Sequence, residues 1–343
     1  MAILFMDSFD HYFDFNGDNP PTYKSEGRQY GWTDTSGLYE HVYNYNTIIH
    51  DALESGTGRA FKLDSKNYTD ATKDDFPDTD TIVIGFHAYC GASWTGYPIL
   101  RISDKYGFTQ ITLSGTSGRR LQVFRGEDNS AHLLGRAGVG TALHHHWQFI
   151  EMKVHFDFNN GYIKVKVNGD TVINETGIRT TTSAYEWYMN KIQFGKLQTM
   201  WIDNFYITDG EIDTPKTDSE GFLGPISIQN LMPNGNNGPN QWTTFGSVNA
   251  WENVDDKGSQ NSTLDNTYNY TGTTGDTESY TFEDLPTAGG TWSVIALQSA
   301  VRTQKVDDVD TEHLDITTGS NVSNDNIITE HTSSTLILSL IHI

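Results

Sequence analysis

The chain carries one cysteine, nine prolines, and 22 basic against 44 acidic side chains in 343 residues. Each scarcity excludes something. Cys90 alone cannot form an intrachain disulfide, so stability must come from a packed core, and its apolar, strand-like surroundings suit a small buried hydrophobe. The formal net charge of -22 disfavours attraction to nucleic acid or to an anionic membrane surface. No run approaches the ~18 apolar residues that a membrane-spanning helix requires. Met1 to Met6 is apolar but has no basic stretch and ends at Asp7, which reads as no secretion signal and as synthesis in a cytoplasm. Helical periodicity is nowhere sustained, and GxSxG, HExxH, P-loop and GxGxxG patterns are all missing.

What is present is β-structure. Short apolar alternations are separated by Gly, Asn, Asp and Thr, and the clearest lies between Trp147 and Ile173. There Ile150, Met152, Val154, Phe156 and Phe158 share one side of an extended chain, opposite Glu151, Lys153, His155 and Asp157. Asn159-Asn160-Gly161 supplies a turn, and Ile163, Val165 and Val167 resume the alternation opposite Lys164 and Lys166. Asn168-Gly169 then predicts a two-residue type I′ hairpin. The expectation is a three-stranded meander with one buried face and one solvated face, on which lysines meet acids across strands. Further strands are expected at Thr81 to Tyr89, Tyr97 to Ile102, Phe108 to Leu113, Leu121 to Phe124, Lys191 to Gly195 and Met200 to Thr208.

Composition divides the chain in two. Residues 1–210 carry closely spaced strands, 211–221 form a charged, Pro-containing linker without apolar pattern, and a second β module fills 222–343. Its strands are expected at Ile226 to Leu231, Ser279 to Leu285, Trp292 to Val301 and His313 to Ile316, with loops at Asn234 to Gly238 and Asn261 to Gly275. The abrupt apolar end, Leu336 to Ile343, reads equally as a terminal strand or as foreign sequence that leaves the second module incomplete.

Three stretches carry a resemblance: Phe5 to Phe9, the Trp-initiated strand running into Val167-Asn168-Gly169, and Trp201 to Gly210. Together they resemble the concanavalin A-like, laminin-G-like jelly-roll domains over residues 1–210. The run from Ile202 to Gly210, followed by Gly221 to Asn234, Trp242 and Asn253-Val254-Asp255, is similar to a two-part structural protein of tailed-bacteriophage particles. The resemblance implies an all-β protein, a jelly-roll sandwich followed by a smaller β-sandwich module. It implies a non-catalytic virion component of tail, fibre or decoration type, with other virion proteins and host-surface glycans as partners. Nucleic acid and membrane insertion are not expected, and a homo-oligomer is left open.

Hydrolases of this fold place acids on one strand as E-x-D-x-x-E; Glu211-Ile212-Asp213 begins that way, but Lys216 stands at the third acid position and Pro215 interrupts. A polysaccharide hydrolase or lyase on the jelly roll is therefore the alternative function. His144 and His146 lack a third ligand and read as a turn before a strand. Asp75, Asp78 and Asp80 could offer oxygens to Ca²⁺, which many domains of the resembled family bind, and Asp307, Asp308 and Asp310 likewise, yet a solvated loop is the plainer reading. Trp32, Tyr39, Tyr43, Trp94 and Tyr97 lie in loop-like stretches, where aromatic rings stack on sugars. Trp147, Trp187 and Trp201, within or beside strands, are expected in the core.

Overall fold

Alternation with a period of two does produce strands here, and their apolar faces meet in one sandwich core. The computed structural model describes residues 2–7, 32–34, 41–43, 60–63, 71–73, 79–90, 98–127, 132–142, 145–182, 189–194, 200–212, 217–238, 240–254, 268–271, 273, 276–283, 294–301 and 336–342. The chain divides into two units, residues 1–228 with 342–343, and residues 229–341. The first contains β1 (Ile3–Asp7), β2 (Trp32–Asp34), β3 (His41–Tyr43), β4 (Ala60–Leu63), β5 (Ala71–Lys73), β6 (Thr81–Cys90), β7 (Pro98–Asp104), β8 (Thr109–Gly115), β9 (Leu121–Arg125), β10 (Leu133–Arg136), β11 (Trp147–His155), β12 (Gly161–Val167), β13 (Asp170–Ile178), β14 (Met189–Phe194) and β15 (Met200–Thr208).

These strands form two antiparallel sheets. One runs β13-β12-β11-β6-β15-β4-β3 with β1 also on β15, and the other runs β10-β9-β8-β7-β14-β5-β2. The chain passes repeatedly between the sheets, as from β5 to β6 to β7 and from β13 to β14 to β15, in the manner of a jelly roll. Ile82, Ile84, Phe86, Ile150, Met152, Val154, Ile202, Phe205 and Ile207 from the first sheet pack against Leu100, Ile102, Ile111, Leu113, Val123, Ile192 and Phe194 from the second. Phe86 and Phe205 each meet Phe194 edge-on, with ring centroids 5.2 Å apart. Cys90 is fully buried in this cluster.

A bulge in β15 sets what faces outward. The register with β6 shifts between Asp203 and Tyr206, and Asn204 takes a φ of 49°. Asparagine tolerates that left-handed backbone, and the extra residue reverses the alternation. Phe205 and Ile207 thereby join the core that Ile202 entered from the other parity, while Tyr206 turns to the outer face and lies over Gly85, where a Cβ would stand 2.0 Å from the ring.

The remaining described strands form a three-stranded sheet ordered β16 (Ser227–Leu231), β22 (Leu336–His342), β21 (Val294–Val301), and two antiparallel pairs, β17 (Pro233–Asn236) with β20 (Tyr280–Phe282) and β18 (Thr243–Phe245) with β19 (Tyr268–Tyr270). Leu336–His342, in the apolar end of the sequence, is paired as β22. Two expected loops are corrected in part, since β17 overlaps 234–238 and β19 lies in 261–275: their Asn and Gly content hid pairing that partners elsewhere in the chain supply. The expected strand at His313 to Ile316 lies outside the described residues. Asn269 organises the node between the pairs, its amide nitrogen donating to the Ala250 carbonyl at 2.7 Å and to the Tyr280 hydroxyl at 2.9 Å.

The hairpin joining β12 to β13 has Asn168 and Gly169 at φ 51° and 87°, as a type I′ turn requires. No atom crowds Gly169, so Gly169→Val should cost about 1–2 kcal/mol through backbone strain alone, whereas Gly85→Ala should cost about 1–3 kcal/mol by overpacking against Tyr206. Urea midpoints of the two variants measure both; an unchanged midpoint for Gly169→Val would show that the turn relaxes freely.

Candidate functional site

Register places the outward residues of the first sheet in rows that run across the strands. Trp147 of β11 stands opposite Tyr89 of β6, which stands opposite Trp201 of β15. One row along come Phe149, His87 and Asp203, and next Lys166, Glu151, Gly85 and Tyr206. The fourth row holds Lys164, Lys153, Val83 and Thr208. Successive rows are about 7 Å apart, two residues of strand rise.

The third and fourth rows are covered. The expected linker is not a free connector: its described residues, with Gly210 and the stretch to Ile228, form a strap across the outer face. Cross-strand pairing opposes Lys153 to Lys164 rather than to an acid, and like charges directly opposite repel. The strap supplies the missing anions. Lys164 is hydrogen-bonded to Glu220, Lys166 donates to Asp218 at 2.5 Å and lies 3.1 Å from the second oxygen of Glu220, and Lys153 donates to the carbonyls of Gly210 and Glu220 at 2.6 and 2.8 Å. Lys166 also sits 4.2 Å above the Phe222 ring. Asp218 itself accepts from the Glu220 and Phe222 amides. Glu151, Lys153 and Lys166 are consequently buried, at 0, 8 and 8 % exposure, which corrects the solvated ladder expected from sequence.

Under the strap, Tyr206 donates to Glu151 Oε1 at 2.6 Å and the Gly224 amide donates to the same oxygen at 2.9 Å. Glu151 Oε2 is buried without a partner among the described residues. Burial raises the Glu151 carboxyl above its usual range, and burial with the neighbouring Glu151 charge raises the Tyr206 phenol well above 10. Burial lowers Lys153. For Lys166 burial opposes the charge, but the bonds to Asp218 and Glu220 outweigh it and the net shift is upward. Glu220 is lowered by its bonds to Lys164 and Lys166, and Asp218 by Lys166 and two amides against its own burial.

The first row is different. Trp147, Tyr89 and Trp201 are each partly exposed, with centroids 5.6 and 5.3 Å apart on either side of Tyr89. The exposed His145 places Nδ1 3.5 Å from the Tyr89 hydroxyl. The two tryptophans are therefore not in the core, a correction that alternation explains: Trp147 shares parity with Phe149 and Glu151, not with Ile150 and Met152. In the neighbouring row His87 packs on Phe149 at 4.7 Å. Its Nδ1 is buried and unpartnered among the described residues, and burial pushes its pKa down to about 4.

The sugar-stacking residues expected from sequence fare unevenly. Trp32 and Tyr43 lie on β2 and β3, edge strands of opposite sheets, rather than in one loop cluster. Trp32 pairs in register with Lys73, and Lys73 with the core residue Ile192. Tyr39, Trp94, Tyr97, Trp187 and His144 lie outside the described residues. So do Asp75, Asp78, Asp307, Asp308 and Asp310. Asp80 is exposed and accepts from the Thr81 hydroxyl at 3.1 Å; among the described residues no group of three or more His, Cys, Asp or Glu is placed to hold a metal.

No family model matches this sequence, and neither does any curated protein. Among solved structures, a sialidase aligns over 54 % of this chain at 13 % identity and a TM-score of 0.35, and the chain spans only 17 % of that protein's length. An alginate lyase bound to an alginate tetrasaccharide aligns over 61 % of this chain and 97 % of its own, at 13 % identity and a TM-score of 0.37. The binding domain of a botulinum neurotoxin of serotype D/C aligns over 45 % of this chain and 41 % of its own, at 16 % identity and 0.34.

Two pH effects follow. Asp218 and Glu220 titrate lower in the folded chain than unfolded, so the stability they contribute is present above the unfolded carboxylate range near pH 4 and is lost as pH falls through their folded values. Glu151, shifted upward, acts in the opposite sense and is less unfavourable once protonated. Asp218→Asn should lower the urea midpoint at pH 7 and reduce the further loss on acidification; an equal acid loss in both proteins would show that the strap carboxylates do not set it. His87 binds fewer protons folded than unfolded between pH 6.5 and about 4, so stability falls as pH drops through that window, by at most about 3 kcal/mol given the ring's partial exposure. His87→Leu should flatten that segment of the pH–stability curve.

Proposed function

We propose that this chain is a non-catalytic, glycan-binding component of a tailed-bacteriophage particle, acting in its tail, fibres or decoration beside other virion proteins. The observation that carries the binding reading is the Trp147–Tyr89–Trp201 row. Three aromatic side chains are partly exposed in line on a rigid sheet, beyond the strap that covers the charged rows of the same face. Aromatic faces are what a pyranose ring stacks on, and a sheet holds them at little ordering cost. The particle reading is supported by the sequence motifs around Phe5, Val167-Asn168-Gly169, Trp201 to Gly210 and Gly221 to Asn234. The charge of -22 also suits a partner other than nucleic acid.

A polysaccharide hydrolase or lyase is the second reading, favoured by one observation: Glu151, Tyr206 and His87 stand on adjacent rows and include a general acid or base of either kind. Against it, Glu151 and Tyr206 have no exposed surface beneath the strap, so a substrate cannot reach them while it is seated.

Purified protein incubated with a panel of bacterial-surface and algal polysaccharides should bind at least one without releasing reducing or unsaturated ends. Trp201→Ala should weaken that binding roughly tenfold, the worth of about one stacked ring. Robust turnover would establish the second reading instead. Antibody against the chain should label purified phage particles, and unlabelled particles would remove the virion assignment.

A further inference from the structure

We infer that Arg125 and Arg179 together form a binding site for an oxyanion where β9 and β13 end: a carboxylate, sulfate or phosphate group, free or carried on an acidic glycan. Phe158, which lies beneath Arg179, follows the end of β11 far from Trp147, so this site is separate from the aromatic row. The inference stands whether or not that row binds sugar.

The two arginines come from strands of opposite sheets, and Thr182 brings them together. A Cβ on Gly126 would stand 3.3 Å from Thr182 Cγ2, so the residue after Arg125 packs against Thr182. Arg179 in turn donates from Nη2 to the Thr182 carbonyl at 2.5 Å and from Nε to the Thr181 carbonyl at 2.9 Å. Thr182 is itself fixed from below. Gln110 Oε1 accepts from its amide and hydroxyl at 2.7 and 2.8 Å, and Gln110 Nε2 donates to Asp104 Oδ2 at 3.0 Å. Both Gln110 and Asp104 are buried, so the arginine pair is mounted on an interior polar network.

Charge supplies the second part of the case. The Arg179 guanidinium lies 3.8 Å from the centre of the Phe158 ring, and two of its five N–H donors are engaged by the carbonyls. Arg125 makes no hydrogen bond and meets no acid among the described residues. The acids near it in the fold are taken: Glu127 pairs with Arg101 at 3.0 Å and accepts from the Thr109 hydroxyl, and Asp157 accepts from the Asn159 and Asn160 amides. Burial and the Arg179 charge both disfavour the protonated Arg125 side chain, yet arginine keeps its proton at neutral pH, so the repulsion persists until an anion relieves it. In a chain with 44 acids to 22 bases, a pair of arginines left without a carboxylate is the exception. No Asp or Glu occurs between Asp104 and Glu127. The planar fork of a guanidinium matches the oxygens of carboxylate, sulfate and phosphate. The net charge of -22 repels anions from the molecule as a whole, so one that binds is held locally.

Calorimetric titration of the whole chain with sodium sulfate and sodium phosphate, against sodium chloride at matched ionic strength, tests the site. Sulfate or phosphate should bind with a dissociation constant of about a millimolar, and chloride should not. Oligogalacturonates form the second arm. Affinity roughly tenfold above that of the free ions identifies an acidic glycan as the source of the anion, and equal affinity identifies the free ion. Arg125→Gln removes no hydrogen bond from the fold; it should abolish anion binding and, without anion, raise the urea midpoint by relieving the repulsion. Arg119→Gln, on an exposed turn, should change neither. Absence of binding by the wild type, or equal binding by Arg125→Gln, would overturn the inference. Lost binding with a lowered midpoint would overturn it too, by showing Arg125 to be structural. Oligogalacturonate binding that survives Arg125→Gln and disappears in Trp201→Ala would assign the sugar to the aromatic row instead.

Discussion

Three lysines on two adjacent strands of one sheet face create a problem that the rest of the first unit is built around. Lys153 stands opposite Lys164, with Lys166 next along, and no carboxylate on those strands except Glu151 is in position to balance them. The balance comes from Asp218 and Glu220 on the strap. Once those acids are drawn in, the strap buries Glu151, and a buried carboxylate is tolerable only with hydrogen bonds to it. The Tyr206 hydroxyl and the Gly224 amide provide two. Tyr206 reaches that position because the Asn204 bulge reverses the parity of β15 and because Gly85 has no side chain beneath the ring. The bulge is itself tied to the strap, since Asn204 Oδ1 accepts from the Ile228 amide at 2.6 Å. Lysine row, strap, bulge and glycine are one linked solution.

Strands and core faces were legible because they depend on local alternation. Ile82 to Cys90, Ile150 to Phe156 and Ile163 to Val167 show a period of two that neighbouring sequence cannot disguise, and the Asn168-Gly169 turn is chosen by backbone conformation alone. The strap was not legible. Its acids lie more than fifty residues from the lysines they meet, and a segment held by charge and main-chain bonds has no apolar period to announce it, so 211–221 read as a linker. The orientation of Trp147 was available from parity and was missed because size and hydrophobicity argued for the core; that of Trp201 was hidden by the Asn204 bulge, which leaves Trp201 with the same sequence parity as the core residues Phe205 and Ile207. Of the sugar-stacking residues chosen from loop-like stretches, Trp32 and Tyr43 are near in sequence, yet the chain changes sheet between β2 and β3 and sets them on edge strands of opposite sheets.

The outer face of the first sheet is thereby split into two environments by one feature. Where lysines stand, the strap must sit; where aromatic residues stand, no charge demands a cover and the rings remain partly open to solvent. This division also separates the two functional readings. Acid–base chemistry by Glu151 and Tyr206 needs the strap to leave, which would expose the lysine repulsion that the strap relieves and remove one of the two hydrogen bonds to Glu151. Binding at the aromatic row needs nothing to move. Because the first sheet holds that row through backbone pairing on both sides of Tyr89, the rings are oriented before any ligand arrives, and the free energy of stacking is not spent on ordering them. The same electrostatic arrangement that makes the charged rows a structural element leaves the aromatic row as the part of this face available for recognition.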